Sequence, residues 1–139
     1  MNVGDQLPEW SIPITPTLVV SAAIATRDFQ GVHHDRDLAR SHGSKDIFLN
    51  ILTTNGLVER YVTDWAGAAL GWRSVDVRSI AIRLGAPAYP GDTLTFVGTV
   101  ASLDGSSIVL DVVGTVSLGD HVTGQVTISV VGPVEGATT

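Results

Sequence analysis

Cysteine is absent from the 139 residues, which removes disulfides, thiolate metal sites, iron–sulfur clusters and cysteine nucleophiles from the chemistry open to the chain. Basic residues are scarce: 8 Lys and Arg stand against 14 Asp and Glu, a net charge of −6. Binding to a phosphate backbone needs a basic face, and these few scattered cations argue against nucleic acid as a partner. Long apolar runs are missing too. The stretch Trp10 to Thr26 is uncharged, but Pro13 and Pro16 interrupt it. Its apolar run Leu18 to Ala25 falls far short of the ~20 residues of a membrane span. The opening MNVGDQLPEW carries acidic rather than basic residues and leads into no cleavable apolar segment, so no signal peptide or membrane partner is expected and a cytoplasmic location follows. What is present is 44% apolar residues, enough at this length to bury about two-thirds of the unfolded chain's surface without a staple. A single domain over 1–139 is expected.

Residues 1–16 are rich in proline and turn formers and read as an irregular lead-in, with Trp10 and Ile12 as apolar anchors. Thr17 to Thr26 (TLVVSAAIAT) is a β-branched and small-residue run that suits a first strand. Arg27 to Lys45 holds four of the eight basic residues and three of the four His, which makes it the segment where chemistry is expected. From Asp46 to Trp65, Ile47, Ile51, Thr54, Val58, Tyr61 or Val62, and Trp65 recur at helical spacing, while Phe48, Leu52 and Leu57 widen the stripe. One long enclosed helix is predicted, capped by Ser44 or Asp46 and stopped by Ala66-Gly67. Gly56 costs it about 1 kcal/mol relative to Ala, and close approach of a neighbouring backbone is the expected compensation.

The remainder alternates as β-structure: Arg73 to Leu84 with a bulge near Arg78-Ser79, Thr93 to Leu103, Ser107 to Leu118 and Val122 to Val131, separated by Pro90-Gly91-Asp92, Asp104-Gly105 and Gly119-Asp120 turns. Residues 132–139 are expected to fray. An enclosed helix needs a concave apolar sheet, and the sheet needs a cover for one face. The order therefore predicts an α+β architecture, an antiparallel sheet of about five strands wrapped around one long central helix, which is the hot-dog fold. Its open edge strand is expected to enter a partner subunit.

Within the polar segment, Asp28 and His33 lie five apart in the string DFQGVH. A turn or short helix of this spacing brings a carboxylate and an imidazole to one focus, where a bound water loses its proton to one group while the other manages the returning proton. Adding water across a polarised double bond further requires stabilising charge on a thioester oxygen, which backbone N–H groups at the start of the following helix can do.

The string DFQGVH resembles the Asp-x-Asn-Pro-(Ile/Val)-His signature of the MaoC-like, (R)-specific enoyl-CoA hydratases, a hot-dog family. The resemblance implies that Asp28 and His33 are the catalytic pair. Gln30 stands where that family has Asn, Gly31 where it has Pro, and Thr26-Arg27 where Ser-Gly often precedes the Asp. The family's Val-His-Gly-Met at the helix start becomes Phe48-Leu49-Asn50-Ile51, which implies the backbone N–H of Asn50 as oxyanion donor. Gln30, Gly31 and Asn55 complete the candidate substrate-binding set. Asn55, polar on a largely buried helix, either bonds backbone or faces the substrate.

More of the chain, ATRDFQGVHHDRDLA, SKDIFLNIL, GLVERYVTDWAG and LGDHVT, resembles the small MaoC-like subunits of actinobacterial steroid side-chain hydratases. This implies an acyl-CoA substrate, the CoA thioester of a shortened steroid side chain. It also implies a second, larger MaoC-like chain as partner in a heterodimer or heterotetramer, shaping the cavity while this chain brings the Asp and His. No cofactor is implied, CoA being part of the substrate.

The alternative is a non-catalytic acyl-CoA-binding or scaffold subunit of such a complex, supported by the departures at Gln30 and Gly31. Thioesterase action lacks a nucleophilic carboxylate on the central helix, where Glu59 and Asp64 lie late as surface residues. His34, Asp35 and Asp37 are adjacent loop residues that do not converge on one ion, so no metal is expected; His34 reads as a supporting or surface residue. His42 and His121 lie near turns and are expected to be solvated. Arg27 is open to three roles: tuning Asp28, meeting a CoA phosphate, or an ordinary surface ion pair. Trp10, Trp65 and Trp72 read as packing and interface residues. An acidic chain is a poor sole host for CoA phosphates, which favours a partner that contributes basic residues; Arg78 and Arg83 are candidates to help.

Overall fold

Period-two alternation in the second half of the sequence builds most of one antiparallel sheet, seen in a computed structural model that describes residues 1–71 and 75–130. Its strands are β1 (Trp10–Pro13), β2 (Val75–Leu84), β3 (Thr93–Asp104), β4 (Ser107–Val116) and β5 (Gly119–Val130), in the spatial order β1-β3-β4-β5-β2. Asp104-Gly105 closes the β3–β4 hairpin with Gly105 at a φ of 59°, a left-handed conformation that glycine adopts without strain. The register of β2 against β5 slips between Val77 and Ser79, where the sequence predicts a bulge. Trp72, the beginning of the strand expected from Arg73 and the tail 132–139 lie outside the described residues.

The inward side chains of this sheet include Leu94, Phe96 and Val100 on β3, Ile108, Leu110 and Val112 on β4, and Val126 and Ile128 on β5. They form one core with Leu57, Val58, Tyr61, Val62 and Ala66 of the long helix α3 (Ile51–Leu70). The three-to-four spacing of those helical positions is what lays a continuous apolar stripe on a sheet. The fold is the expected hot-dog arrangement. Helices α1 (Pro16–Ala25) and α2 (Arg36–Ser41) precede α3. No helix of the described residues is long and apolar enough to cross a membrane.

Several local expectations are corrected. Residues 17–26 are not a strand but α1. Thr15 is an extended N-cap whose hydroxyl accepts from the Leu18 N–H at 3.0 Å, and Pro16 occupies the first turn, where its missing N–H costs nothing. The fifth strand comes instead from the lead-in, where β1 pairs Trp10 opposite Phe96. The long helix starts at Asn50 rather than at Ser44 or Asp46, and runs through Ala66-Gly67 to a cap at Gly71, whose φ is 91°. Asp46 accepts from the Ile47 N–H and faces Arg36 at 3.7 Å, while Ile47 and Leu49 are buried ahead of the helix. Gly56 faces solvent with nothing within 4 Å of where a Cβ would stand, so no close backbone approach explains it.

His121 is a further correction. It is 2% exposed, not solvated. Its Nδ1 donates to the Ala86 carbonyl at 2.7 Å and its Nε2 accepts from the Thr54 hydroxyl at 2.7 Å, tying β5, the loop after β2 and the first turns of α3 together.

Candidate active site

The site is built where α1 ends. The Arg27 N–H donates to the Ile24 carbonyl and the Asp28 N–H to the Ala23 carbonyl, at 3.0 and 2.8 Å, the paired bonds of a Schellman cap. Arg27, the residue after the Thr26 C-cap, has a φ of 56°. The chain leaves the helix there, and a short 3-10 turn at Gly31–His33 carries His33 back toward Asp28. A Cβ on Gly31 would overlap the Leu38 side chain, so the turn lies tight against α2.

His33 is 5% exposed, and its Nε2 stands 3.4 Å from Asp28 Oδ2. Its Nδ1 lies 2.7 Å from the Phe48 carbonyl oxygen, and the Phe48 ring packs edge-on against the imidazole at 4.9 Å. A carbonyl only accepts, so Nδ1 carries the proton and, in the neutral ring, Nε2 presents its lone pair toward the Asp28 carboxylate. The sequence pair is thus brought together with its reactive atoms facing each other.

Asp28 is held from several sides. Its Oδ1 accepts from the Gln30 N–H at 3.2 Å and its Oδ2 from the Asn50 carboxamide at 3.1 Å. The His34 ring donates from Nε2 to the Asp28 backbone carbonyl at 2.7 Å. Desolvation raises the Asp28 pKa, but the bonds from Asn50 and Gln30 and the nearby His33 and His34 outweigh it and hold the carboxyl below its ordinary 3.8. Asp28 is therefore a carboxylate at neutral pH.

Of the other candidates, Gln30 reaches Asp28 through its backbone while its residue is exposed. Asn50 caps α3, and its own N–H makes no hydrogen bond among the described residues. Asn55 is half-buried on α3 with no side-chain hydrogen bond among the described residues, so it does not bond backbone there. Arg27 is exposed and in no ion pair among the described residues. His42 is exposed, as expected. Arg78 and Arg83 are exposed on β2, and Glu59 and Asp64 on α3. Sequence reasoning missed the side-chain role of Asn50, the Phe48 carbonyl, and the Thr26 and Thr53 hydroxyls that contact the Asn50 amide. The Asn-x-x-Thr string at 50–53 is an N-cap pattern and was the available signal.

The scaffold is a hot-dog fold, and it brings a carboxylate and an imidazole together at the end of α1. Residues 3–122 match the family described as MaoC like domain, and the chain belongs to it. Over 127 residues it is 55% identical to the 3-oxo-4,17-pregnadiene-20-carboxyl-CoA hydratase beta subunit of Mycobacterium tuberculosis, spanning 91% of this chain and 95% of that protein. The crystal structure of the ChsH1-ChsH2 complex from Mycobacterium tuberculosis contains a chain that superposes with a TM-score of 0.88 at 54% identity, covering 94% of this chain and 98% of that one. An (R)-hydratase from A. caviae involved in PHA biosynthesis superposes with a TM-score of 0.78 over 94% of this chain and 98% of its own; at 19% identity it shares the fold.

Proposed function

We propose that this chain is the catalytic subunit of a two-chain enoyl-CoA hydratase that adds water across the α,β double bond of a bulky acyl-CoA, a steroid side-chain CoA thioester. The observation that carries the reading is the 3.4 Å approach of His33 Nε2 to Asp28 Oδ2, with Nδ1 of the same ring tied to the Phe48 carbonyl. In the neutral ring both facing atoms are acceptors, and a water donating one proton to each satisfies both. The 55% identity to a named CoA hydratase subunit supports the substrate class.

In the reaction, His33 Nε2 takes a proton from the water as its oxygen bonds to the β-carbon. The π electrons move onto the thioester oxygen, where the N–H of Asn50 stabilises the enolate. Asp28 holds the water and relays the proton to the α-carbon, so one water is consumed and the pair ends as it began. Gln30, Gly31 and Asn55 border the acyl group. Addition of water is neither oxidation nor reduction, and no cofactor enters.

The partner is a second, larger MaoC-like chain. Phe29, beside Asp28, is 70% exposed, and Ile51 and Leu52, beside Asn50, are about half exposed, an apolar rim suited to burial against another subunit. A partner with basic residues also answers the shortage of cations for CoA phosphates in a chain of net charge −6. CoA thioesters are intracellular metabolites, so the reading places the protein in the cytoplasm.

The test is incubation of the co-expressed complex with the enoyl-CoA in water enriched in oxygen-18. A product heavier by one labelled water, with the label on the β-carbon, is expected. An unchanged enoyl-CoA, or label released as a free carboxylic acid, would contradict hydration and in the second case indicate thioester hydrolysis.

A further inference from the structure

We propose that the side chain of Asn50 is a positioning residue for Asp28, a role distinct from that of its backbone N–H. Asn50 is 2% exposed. Its Oδ1 accepts from the Thr53 N–H at 3.0 Å and from the Thr53 hydroxyl. That leaves the Nδ2 donors to face the other way, and they reach Thr26 Oγ1 at 2.9 Å and Asp28 Oδ2 at 3.1 Å. Thr26 in turn donates its hydroxyl proton to the Ala22 carbonyl at 2.9 Å.

A continuous line of hydrogen bonds therefore joins the last turn of α1 to the first turn of α3, with the Asp28 carboxylate on it. Every polar group of the Asn50 side chain is engaged, so the amide cannot rotate without breaking several bonds. The oxygen it holds, Oδ2, is the one that faces His33. Fixing that oxygen sets the distance across which a water must bridge, and a misplacement of the order of an ångström is costly to catalysis.

Position 50 also carries information that the backbone role leaves unused. A backbone donor needs no side chain. Gln30, by contrast, is exposed and reaches Asp28 through its backbone alone. The carboxamide that touches the carboxylate is supplied by the helix start.

The pH consequence follows from the groups around Asp28. His33 and His34 approach from the turn, Arg27 is its exposed chain neighbour, and the first charged side chain of α3 is Glu59, more than two turns from Asn50. The contact from α3 is therefore a neutral donor that favours the charged carboxylate. Losing it makes Asp28 easier to protonate.

This inference rests on the reading of Asp28 as part of the catalytic pair, and the experiment separates the two. Asn50→Gly keeps the backbone N–H and replaces one tolerated N-cap residue by another. In the two-chain complex, Asn50→Gly is expected to lower kcat about ten- to hundredfold with little change in KM. Where Asn50→Gly does not assemble, Thr26→Val removes the hydroxyl that shares the same amide and is expected to lower kcat by less, again with little change in KM. Wild-type kcat in the assembled variant, or in Thr26→Val where that variant stands in, would overturn the assignment. Asp28→Asn run alongside shows which claim fails: if it is inactive while Asn50→Gly is unimpaired, only the role of Asn50 falls; if it is fully active, the catalytic reading falls with it.

Discussion

His33 Nδ1 lies 2.7 Å from the Phe48 carbonyl oxygen, and this contact decides which ring nitrogen is free to take a proton. His33→Asn retains an amide N–H able to meet that carbonyl but has no basic nitrogen at the position of Nε2. The variant is expected to fold and assemble normally while kcat falls roughly 10²- to 10⁴-fold. Steady-state kinetics beside a thermal melt separates the two effects; a proportionate loss of stability and rate would point to a structural role instead.

Arg27 holds a left-handed backbone, φ 56°, at the cap where α1 gives way to Asp28. A residue with a Cβ costs about 1–2 kcal/mol there, partly offset because glycine loses more chain entropy on folding. Arg27→Gly is expected to stabilise the protein by roughly 0.5–1 kcal/mol, raising Tm by about 2–5 °C. A lower Tm would mean that the guanidinium makes stabilising contacts in the assembled protein.

His121 gives stability a pH dependence. Burial pushes its pKa below the ordinary 6.5, opposed only in part by the bond to the Ala86 carbonyl. The unfolded chain takes up a proton as pH falls through about 6.5 while the folded imidazole stays neutral. This contribution is therefore complete above that pH and lost progressively below it, down to the folded value. His121→Gln is expected to be less stable at neutral pH by roughly 1–3 kcal/mol, since Thr54 and Ala86 lose a partner. It is also expected to lose less stability than the wild type between about pH 7.5 and 5 in urea titrations. Parallel losses in the two proteins would contradict the burial of a neutral ring.

The elements with strong periodicity were legible in the sequence: β2 to β5, the bulge near Arg78, and the body of α3 from Ile51 onward. Thr17 to Thr26 was misread because α1 has no apolar face to show; its residues are apolar almost throughout, and only Thr15-Pro16 marks a helix start. The sequence points to Ser44 or Asp46 as the cap because Ile47 and Phe48 extend the helical pattern upstream, although both precede the helix that Asn50 caps. The Asp28–His33 spacing announced the candidate site. Its supports did not show, because Asn50 and Phe48 arrive from a distant part of the chain, and the Phe48 carbonyl is a backbone group that no residue type encodes. His121 was placed in solvent on the strength of the neighbouring Gly119-Asp120, yet the strand had already begun at Gly119.

The central claim is that Asp28 and His33 act on one water at an enoyl thioester. Its most direct test is the loss of enoyl-thioester absorbance catalysed by the co-expressed two-chain complex carrying Asp28→Asn, which keeps the size of the side chain and removes its charge. The account predicts an intact complex with kcat lowered roughly 10²- to 10⁴-fold. Wild-type turnover by that variant would contradict it.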